Sequence, residues 1–325
     1  MGLSTGRDLH IDQHLTQIAI NYRPAAMIAD LIAPIVPVNK ESDLYPVFNR
    51  AEILSVEDSL RSRGAEANKI TRSVSSAGYL VKNYALRYDQ YIEDLANMDA
   101  AYELELGAGA SRYLLDKLAL GWEKRLFDQI NSTSNVSTAF KPSSAWNAPV
   151  AANQGDPLNQ IDQIIETQTG RTTQRPNSIL MGWQAWRAFR RNTNVRNMIL
   201  GRDGTGLVSR QAAQDYFEVD RFLVTELFIN TANEKQAESL SSPFSDRVLV
   251  YFAPLAASRE SPSYMYTFRW NNPLLPAPLA VERHPYDTKR KIESIEAGFY
   301  QDEKVVGIEY ASTLIGVNSG QSGGI

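Results

Sequence analysis

Residues 41–91 constrain this chain more than any other stretch. Tyr45 and Val47, then Tyr79, Leu80, Val81, Tyr84, Leu86 and Tyr88, flank a polar middle from Ser59 to Lys69, the pattern of two strands and a long charged tip. Arms of about fifteen residues would reach roughly 50 Å at about 3.3 Å per residue, and a lone two-stranded ribbon is marginal in water. Such a ribbon has to lie on another surface. Residues 1–40 alternate short apolar pieces with helix breakers and end in Ala33-Pro34-Ile35-Val36-Pro37-Val38, an extended arm crossing something apolar. From Asp94 to Asn131, Leu114, Leu118, Trp122, Leu126 and Ile130 recur every fourth residue, which predicts one amphipathic helix. Unbroken, it would run about 55 Å. Gly107, Gly109 and Gly121 are where it would kink.

At roughly 150 residues per domain, 325 residues suggest about two domains and ample core. The remaining pattern is mixed. Asn131 to Gly155 is rich in Ser, Asn, Ala and Pro and reads as a connection that could carry a domain boundary. Beyond it, helical spacing at Leu158–Thr169, Trp183–Arg191 and Ser209–Phe217 alternates with strand-like runs. Those runs are Asn177–Met181, Arg221–Thr225, Arg247–Phe252, Ser263–Trp270, Lys291–Phe299 and Val305–Tyr310, before a Gly/Ser tail expected to fray. The class is α+β, with no internal repeat.

Charge and composition exclude several functions. Thirty-three Lys plus Arg against 37 Asp plus Glu give a net charge of -4, so nothing demands a polyanionic partner. Cysteine is absent, which removes disulfides, thiolate nucleophiles and Cys-ligated metal sites. The first fifteen residues lack the apolar core of a secretory signal, Gly6 breaks the myristoylation pattern, and the longest apolar runs are cut by prolines. A soluble, intracellular product is expected. His10 and His14 are four apart, as two metal ligands on a helix would be, but the segment shows no helix and reads as a solvated arm. Residues 201–206, GRDGTG, match no phosphate-loop spacing and read as a surface loop. Trp183, Trp186 and Phe189 interleave with Arg187, Arg190, Arg191 and Arg196. A nucleic-acid stacking patch has this composition, yet a buried aromatic face with arginines at a helix C-terminus explains it more simply. Tyr264, Tyr266, Phe268 and Trp270 share one strand face, which reads as a core against a helix rather than a base platform. No hydrolase elbow, zincin motif or Ser/His/Asp spacing is present.

A set of segments in order resembles one family. They are Arg63-Gly64-Ala65-Glu66-Ala67 in the charged tip, Tyr84-Ala85-Leu86 leading out of it, and Asn177-Ser178-Ile179-Leu180-Met181-Gly182 running into Trp186-Arg187-Ala188-Phe189. Tyr266-Thr267-Phe268-Arg269-Trp270 and Asp302-Glu303-Lys304-Val305-Val306 complete the set. Together they resemble the major capsid proteins of tailed bacteriophages, with the Hong Kong 97-type shell fold. The resemblance implies an N-terminal arm (1–40), an extended β-hairpin loop (41–91), and a spine helix with peripheral domain (92–157, completed by 277–304). It also implies an axial domain (158–276, completed by 305–325). It implies a virion protein, assembled in the bacterial cytoplasm, that builds pentamers and hexamers of an icosahedral shell. Portal, scaffolding or decoration proteins would be partners, and the packaged double-stranded DNA would be touched weakly and without sequence specificity. No enzyme activity, cofactor, metal or membrane is implied.

Arg61, Arg63, Glu66 and Lys69 at the tip are the expected subunit contacts, and Leu118, Trp122 and Leu126 the expected anchors of the helix to its own sheet. Some family members join subunits through Lys–Asn isopeptide bonds. Lys69 and Glu66 are close in sequence, but no motif marks a reactive trio, so a salt-bridging lysine is expected. Two rival readings stand beside this one: an encapsulin-like shell enclosing enzymes, and a soluble enzyme with a carboxylate active site.

Overall fold

The computed structural model describes residues 27–48, 56, 59–64, 66–70, 74–91, 93, 100–149, 154–201, 206–233, 236–259, 261–273 and 279–319. His10 and His14 lie outside them. In chain order, the short helix α1 (Ala29–Ile32) leads into β1 (Ile35–Val38), β2 (Ser42–Phe48), β3 (Val74–Leu80) and β4 (Lys82–Tyr91). The long helix α2 (Ala100–Ile130) follows, then β5 (Thr138–Phe140), α3 (Pro157–Thr172), β6 (Ser178–Gly182), α4 (Trp183–Arg191), α5 (Thr193–Ile199) and α6 (Arg210–Phe217). Strands β7 (Arg221–Thr225), β8 (Ile229–Asn230), β9 (Leu240–Ser241), β10 (Arg247–Tyr251), β11 (Met265–Trp270), β12 (Leu279–Asp287), β13 (Ile292–Val305) and β14 (Ala311–Ile315) complete the chain.

Two five-stranded sheets carry the molecule. In the first, β13 is flanked by β4 on one edge and by β12 and then β11 on the other, with β1 added parallel to β11. The second runs β5-β14-β10-β6-β7. Alternation along its central strands sends Ile179, Met181, Val248 and Val250 to a core shared with α3 to α6. Leu180, Leu249 and Tyr251 point the other way, to a core shared with Leu126, Phe127 and Ile130 of α2 and with Ile32 of α1.

Helix α2 is the beam common to both sheets. Its first buried half, Ala110, Leu114, Leu115 and Leu118, packs on Val281, Ile295, Ala297 and Phe299 of the first sheet. Its last turns pack on the second. The helix runs continuously for 31 residues through all three glycines. Gly107, Gly109 and Gly121 cost roughly 1 kcal/mol each relative to Ala, and the apolar contacts on two sheets outweigh that.

The structure corrects four expectations. The ribbon ends sooner at its root: among the described residues β2 and β3 pair over seven residues each, about 23 Å at 3.3 Å per residue. The chain then turns at Val81, whose N–H donates to the Glu41 carbonyl, and β4 joins β13 over ten residues. Tyr84, Leu86 and Tyr88 oppose Phe299, Ala297 and Ile295 there, so their alternation serves the first sheet and not the ribbon. Residues Tyr266 and Phe268 face the ribbon and β1, not a helix. The expected connection around residues 131–155 holds Trp146, fully buried against Phe189, because a large ring there fills the end of the second core. Strand β13 runs on to Val305, and residues 308–310 form a 3₁₀ turn rather than a strand. Val317, just before the Gly/Ser tail, is buried in the second sheet's core, so the chain is tied down to that point.

Candidate functional site

With no catalytic constellation in the sequence, the candidate site is a set of surfaces, and the first is the ribbon with its tip. Its root is heavily fixed. Tyr45 and Tyr79 stack on Phe268 with ring centroids 5.3 and 4.7 Å away, and Val36, Val38, Val81 and Tyr266 close the cluster. The Tyr79 hydroxyl donates to the Lys40 carbonyl at 3.3 Å, and the Leu80 N–H donates to Asp302 Oδ2 at 3.0 Å. Burial pushes the Asp302 carboxyl above its ordinary range, opposed by that N–H and by Lys304. Arg259 lies 5.8 Å from the Tyr79 ring centroid and 3.7 Å from Asp43. The Leu44 N–H and the Lys40 ammonium hold the Asp43 carboxyl low against a small desolvation penalty.

The tip is the opposite case. Arg61, Arg63, Glu66 and Lys69 are all exposed, around a turn made at Gly64 with φ +87°. Arg63, Glu66 and Lys69 make no ion pair or hydrogen bond among the described residues, so the structure does not assemble Lys69 and Glu66 into a reactive pair. Apolar side chains sit among these charges in full contact with water: Val56 is 99% exposed, Leu60 85% and Ile70 71%. A rooted ribbon whose tip offers both apolar side chains and unpaired charges has the makings of a protein contact.

A second surface is the outer edge of β4. The strand is ten residues long and, among the described residues, pairs only through its β13 side. Leu86, Tyr88 and Tyr91 along it are 40–56% exposed. An open, apolar strand edge is a template for another chain, and soluble monomers normally cover or charge it.

Behind these surfaces the helix anchors divide between two sheets, which corrects the expectation of a single one. Leu118 meets the first sheet and Leu126 the second, because eight residues of helix rise about 12 Å and carry the stripe past the first sheet's edge. Trp122, half-buried between them, lies under the Arg269 guanidinium at 5.3 Å. Arg269 also donates to Gln301 Oε1 at 2.8 Å, and Gln301 in turn donates to Glu303 Oε1 at 2.7 Å. Arg125 of α2 completes the cluster, 2.8 Å from Glu303 and stacked 3.7 Å over Tyr84. Burial lowers the Arg269 guanidinium to about 10, opposed by Glu303. No sequence pattern pointed to this cluster, whose members come from four elements, α2, β4, β11 and β13.

Glu123, fully buried on α2, accepts the N–H groups of Ile28 and Ala29 at the start of α1 and so pins the chain just before β1. Its other oxygen has no partner. Burial raises its carboxyl above the ordinary value, and the two N–H donors only partly offset this. A raised folded-state value means that the protonated form is favoured on folding. The contribution is present below about pH 4.5, the ordinary value, and is lost as pH rises through the folded value. Glu123→Gln, which keeps an acceptor for both N–H groups, is therefore expected to flatten that part of the urea-denaturation stability profile. Glu123→Ala is expected to cost about 1 kcal/mol or more by uncapping α1. An unchanged pH slope in the Gln variant would contradict this assignment.

Among the described residues no group of three His, Asp or Glu could hold a metal ion, and no helix is long and apolar enough to cross a membrane. His284, half-buried, sits 2.9 Å from Glu296 on the first sheet.

No family model matches the chain. The major capsid protein of Pseudomonas phage JBD67 is 25% identical over 268 residues, covering 81% of this chain and 84% of that protein. That of Burkholderia phage BcepMu is 24% identical over 270 residues, 80% and 83% of the two chains. Among solved structures, a phage-related protein of Bordetella bronchiseptica superposes with a TM-score of 0.75 at 18% identity, over 95% of this chain and 98% of that one. The capsid of cyanophage P-SCSP1u matches at 0.57 and 13% identity, over 90% and 89%. This is the Hong Kong 97-type shell fold. An encapsulin complex from Synechococcus elongatus shares it at 0.51 and 14% identity, over 98% and 99%. On this fold, then, the ribbon tip and the β4 edge are two exposed surfaces among the described residues.

Proposed function

We propose that this chain is the major capsid protein of a tailed bacteriophage, assembling into the icosahedral shell that encloses a double-stranded DNA genome. The observation that carries this reading is the ribbon: fixed at its root by Phe268 and Asp302, yet ending in an exposed tip that carries both apolar and charged side chains. Capsid relatives over four-fifths of the chain favour a phage shell over an encapsulin-like one. A carboxylate enzyme is disfavoured, because the buried carboxylates Glu123 and Glu303 are engaged by backbone N–H groups and by Arg125 and Gln301.

In this assignment β2–β3 is the extended loop, α2 the spine, the first sheet the peripheral domain and the second sheet the axial domain. Repeated head-to-tail contacts would close rings of five and six, each contact near the ordinary interface scale of about 1,600 Å². Portal, scaffolding or decoration proteins would act on that shell, and DNA would be held loosely by a chain of net charge -4.

Negative-stain microscopy and size-exclusion chromatography of the purified protein test the proposal. Very large particles or assembly-competent capsomers are expected, and a rigid small oligomer would overturn it. DNA extracted from particles made in infected cells separates the phage shell from an enzyme-filled compartment. Arg63→Glu is expected to cut particle yield severely while leaving the circular dichroism spectrum unchanged, since Arg63 is exposed and has no partner among the described residues. Normal particles from that variant would remove the tip from the contact.

A further inference from the structure

We propose that the cavity beside α4 is a receptor for an acidic peptide segment of a partner chain. The cavity holds about 520 Å³, within the range of ligand sites, and stands on its own lining rather than on the shell reading. Arg187 and Arg191, one helical turn apart on α4, line it from one side. Both are exposed, and neither has an ion-pair or hydrogen-bond partner among the described residues. Arg175 and Arg210, by contrast, are engaged by Glu218 at 2.9 Å and by Glu226 at 2.6 Å. Two exposed guanidinium groups one helical turn apart can each take a carboxylate in a forked pair.

The opposite wall is polar. The Asn318 amide lines it, with Oδ1 buried and without a hydrogen-bond partner among the described residues. A peptide brings backbone N–H groups to such a wall beside the carboxylates of its Asp or Glu residues. Gln184, exposed at the rim, can pair with the same backbone. The floor is rigid. The Trp146 ring is buried, its indole N–H donates to Gln160 at 2.7 Å, and its carbonyl accepts from Gln154 and Asn192, each at 3.1 Å. The lining is thus held in place before anything binds, which lowers the ordering cost of binding.

Fluorescence anisotropy tests this on the full chain with a labelled hexapeptide of alternating Asp and Gly, its Asn-for-Asp counterpart, and a labelled oligothymidylate decamer. The acidic peptide is expected to bind and the Asn counterpart not to. Replacing both arginines (Arg187→Gln with Arg191→Gln) should weaken binding about tenfold or more, the scale of losing charged hydrogen bonds. Gln184→Ala, which leaves charge unchanged, should weaken it severalfold. Arg210→Gln, an already paired arginine, should bind as the parent does, and circular dichroism checks that each variant is folded. Absence of peptide binding to the parent, equal affinity in the double arginine variant, or displacement of the peptide by equimolar oligothymidylate would each overturn the proposal. The last would make nucleic acid the ligand.

Discussion

Phe268→Ala is expected to destabilise the protein by about 3–5 kcal/mol and to free the ribbon from the first sheet. The ring is fully buried and touches both ribbon strands, through Tyr45 and Tyr79, as well as Tyr266 beside it. Truncating a buried Phe removes transfer energy and leaves a cavity, and costs of this size are usual where the neighbours cannot collapse inward. Collapse is hindered here because β1 and β3 are tied to β11 and β13 by backbone bonds. Pro34 O and Val38 O accept from Thr267 and Asn271, and Asp302 accepts from Leu80. Urea denaturation followed by limited proteolysis reads both parts of the effect. Cleavage should quicken between residues 41 and 81 before it does in α2. A loss below about 1 kcal/mol with unchanged ribbon cleavage would mean that the ribbon is rooted elsewhere. Particle yield should fall with the ribbon, since a tip on a loose root no longer reaches a neighbour in one orientation.

Glu303→Ala should be the most damaging single polar change, at about 3–5 kcal/mol, because it strands buried positive charge. The Glu303 side chain is only 4% exposed and pairs directly with Arg125; Gln301 links it to Arg269. Removing the carboxylate leaves the Arg269 guanidinium, already lowered by burial, without its nearest counter-charge. Breaking such a cluster costs far more than replacing it whole with apolar groups. A double variant adding Arg269→Met to Glu303→Ala is therefore expected to recover part of the loss. Denaturant midpoints in a double-mutant cycle check this. Equal or greater damage in the double variant would show that Arg269 is held by its rings, Trp122 and Phe299, and not by charge.

Both variants act where the two sheets, the ribbon and α2 meet, and how visible that junction was from sequence differs residue by residue. Four-residue spacing from Leu114 to Ile130 announced a long helix, and alternation from Tyr264 to Trp270 announced a strand with an aromatic face. The same alternation could not say that Tyr84 pairs with Phe299 instead of extending the ribbon. Trp146 was hidden in a Ser-, Asn- and Pro-rich stretch because composition reports average polarity and not the burial of one ring. Leu118 and Leu126 read as one stripe, although they face different sheets. Of the candidate contacts, Arg63, Glu66 and Lys69 were legible as a charged tip, while the cavity was not. Its walls come from residues 146, 187, 191 and 318, which no local pattern connects.

The sequence by itself determined the local periods, the class of fold and the run of extended apolar segments between residues 33 and 91. Only the tertiary structure decided which strand each edge joins, where the ribbon ends and which charges remain without partners. The reason is physical: period follows from backbone geometry within a few residues, whereas partners are chosen by burial and hydrogen-bond satisfaction among segments far apart along the chain.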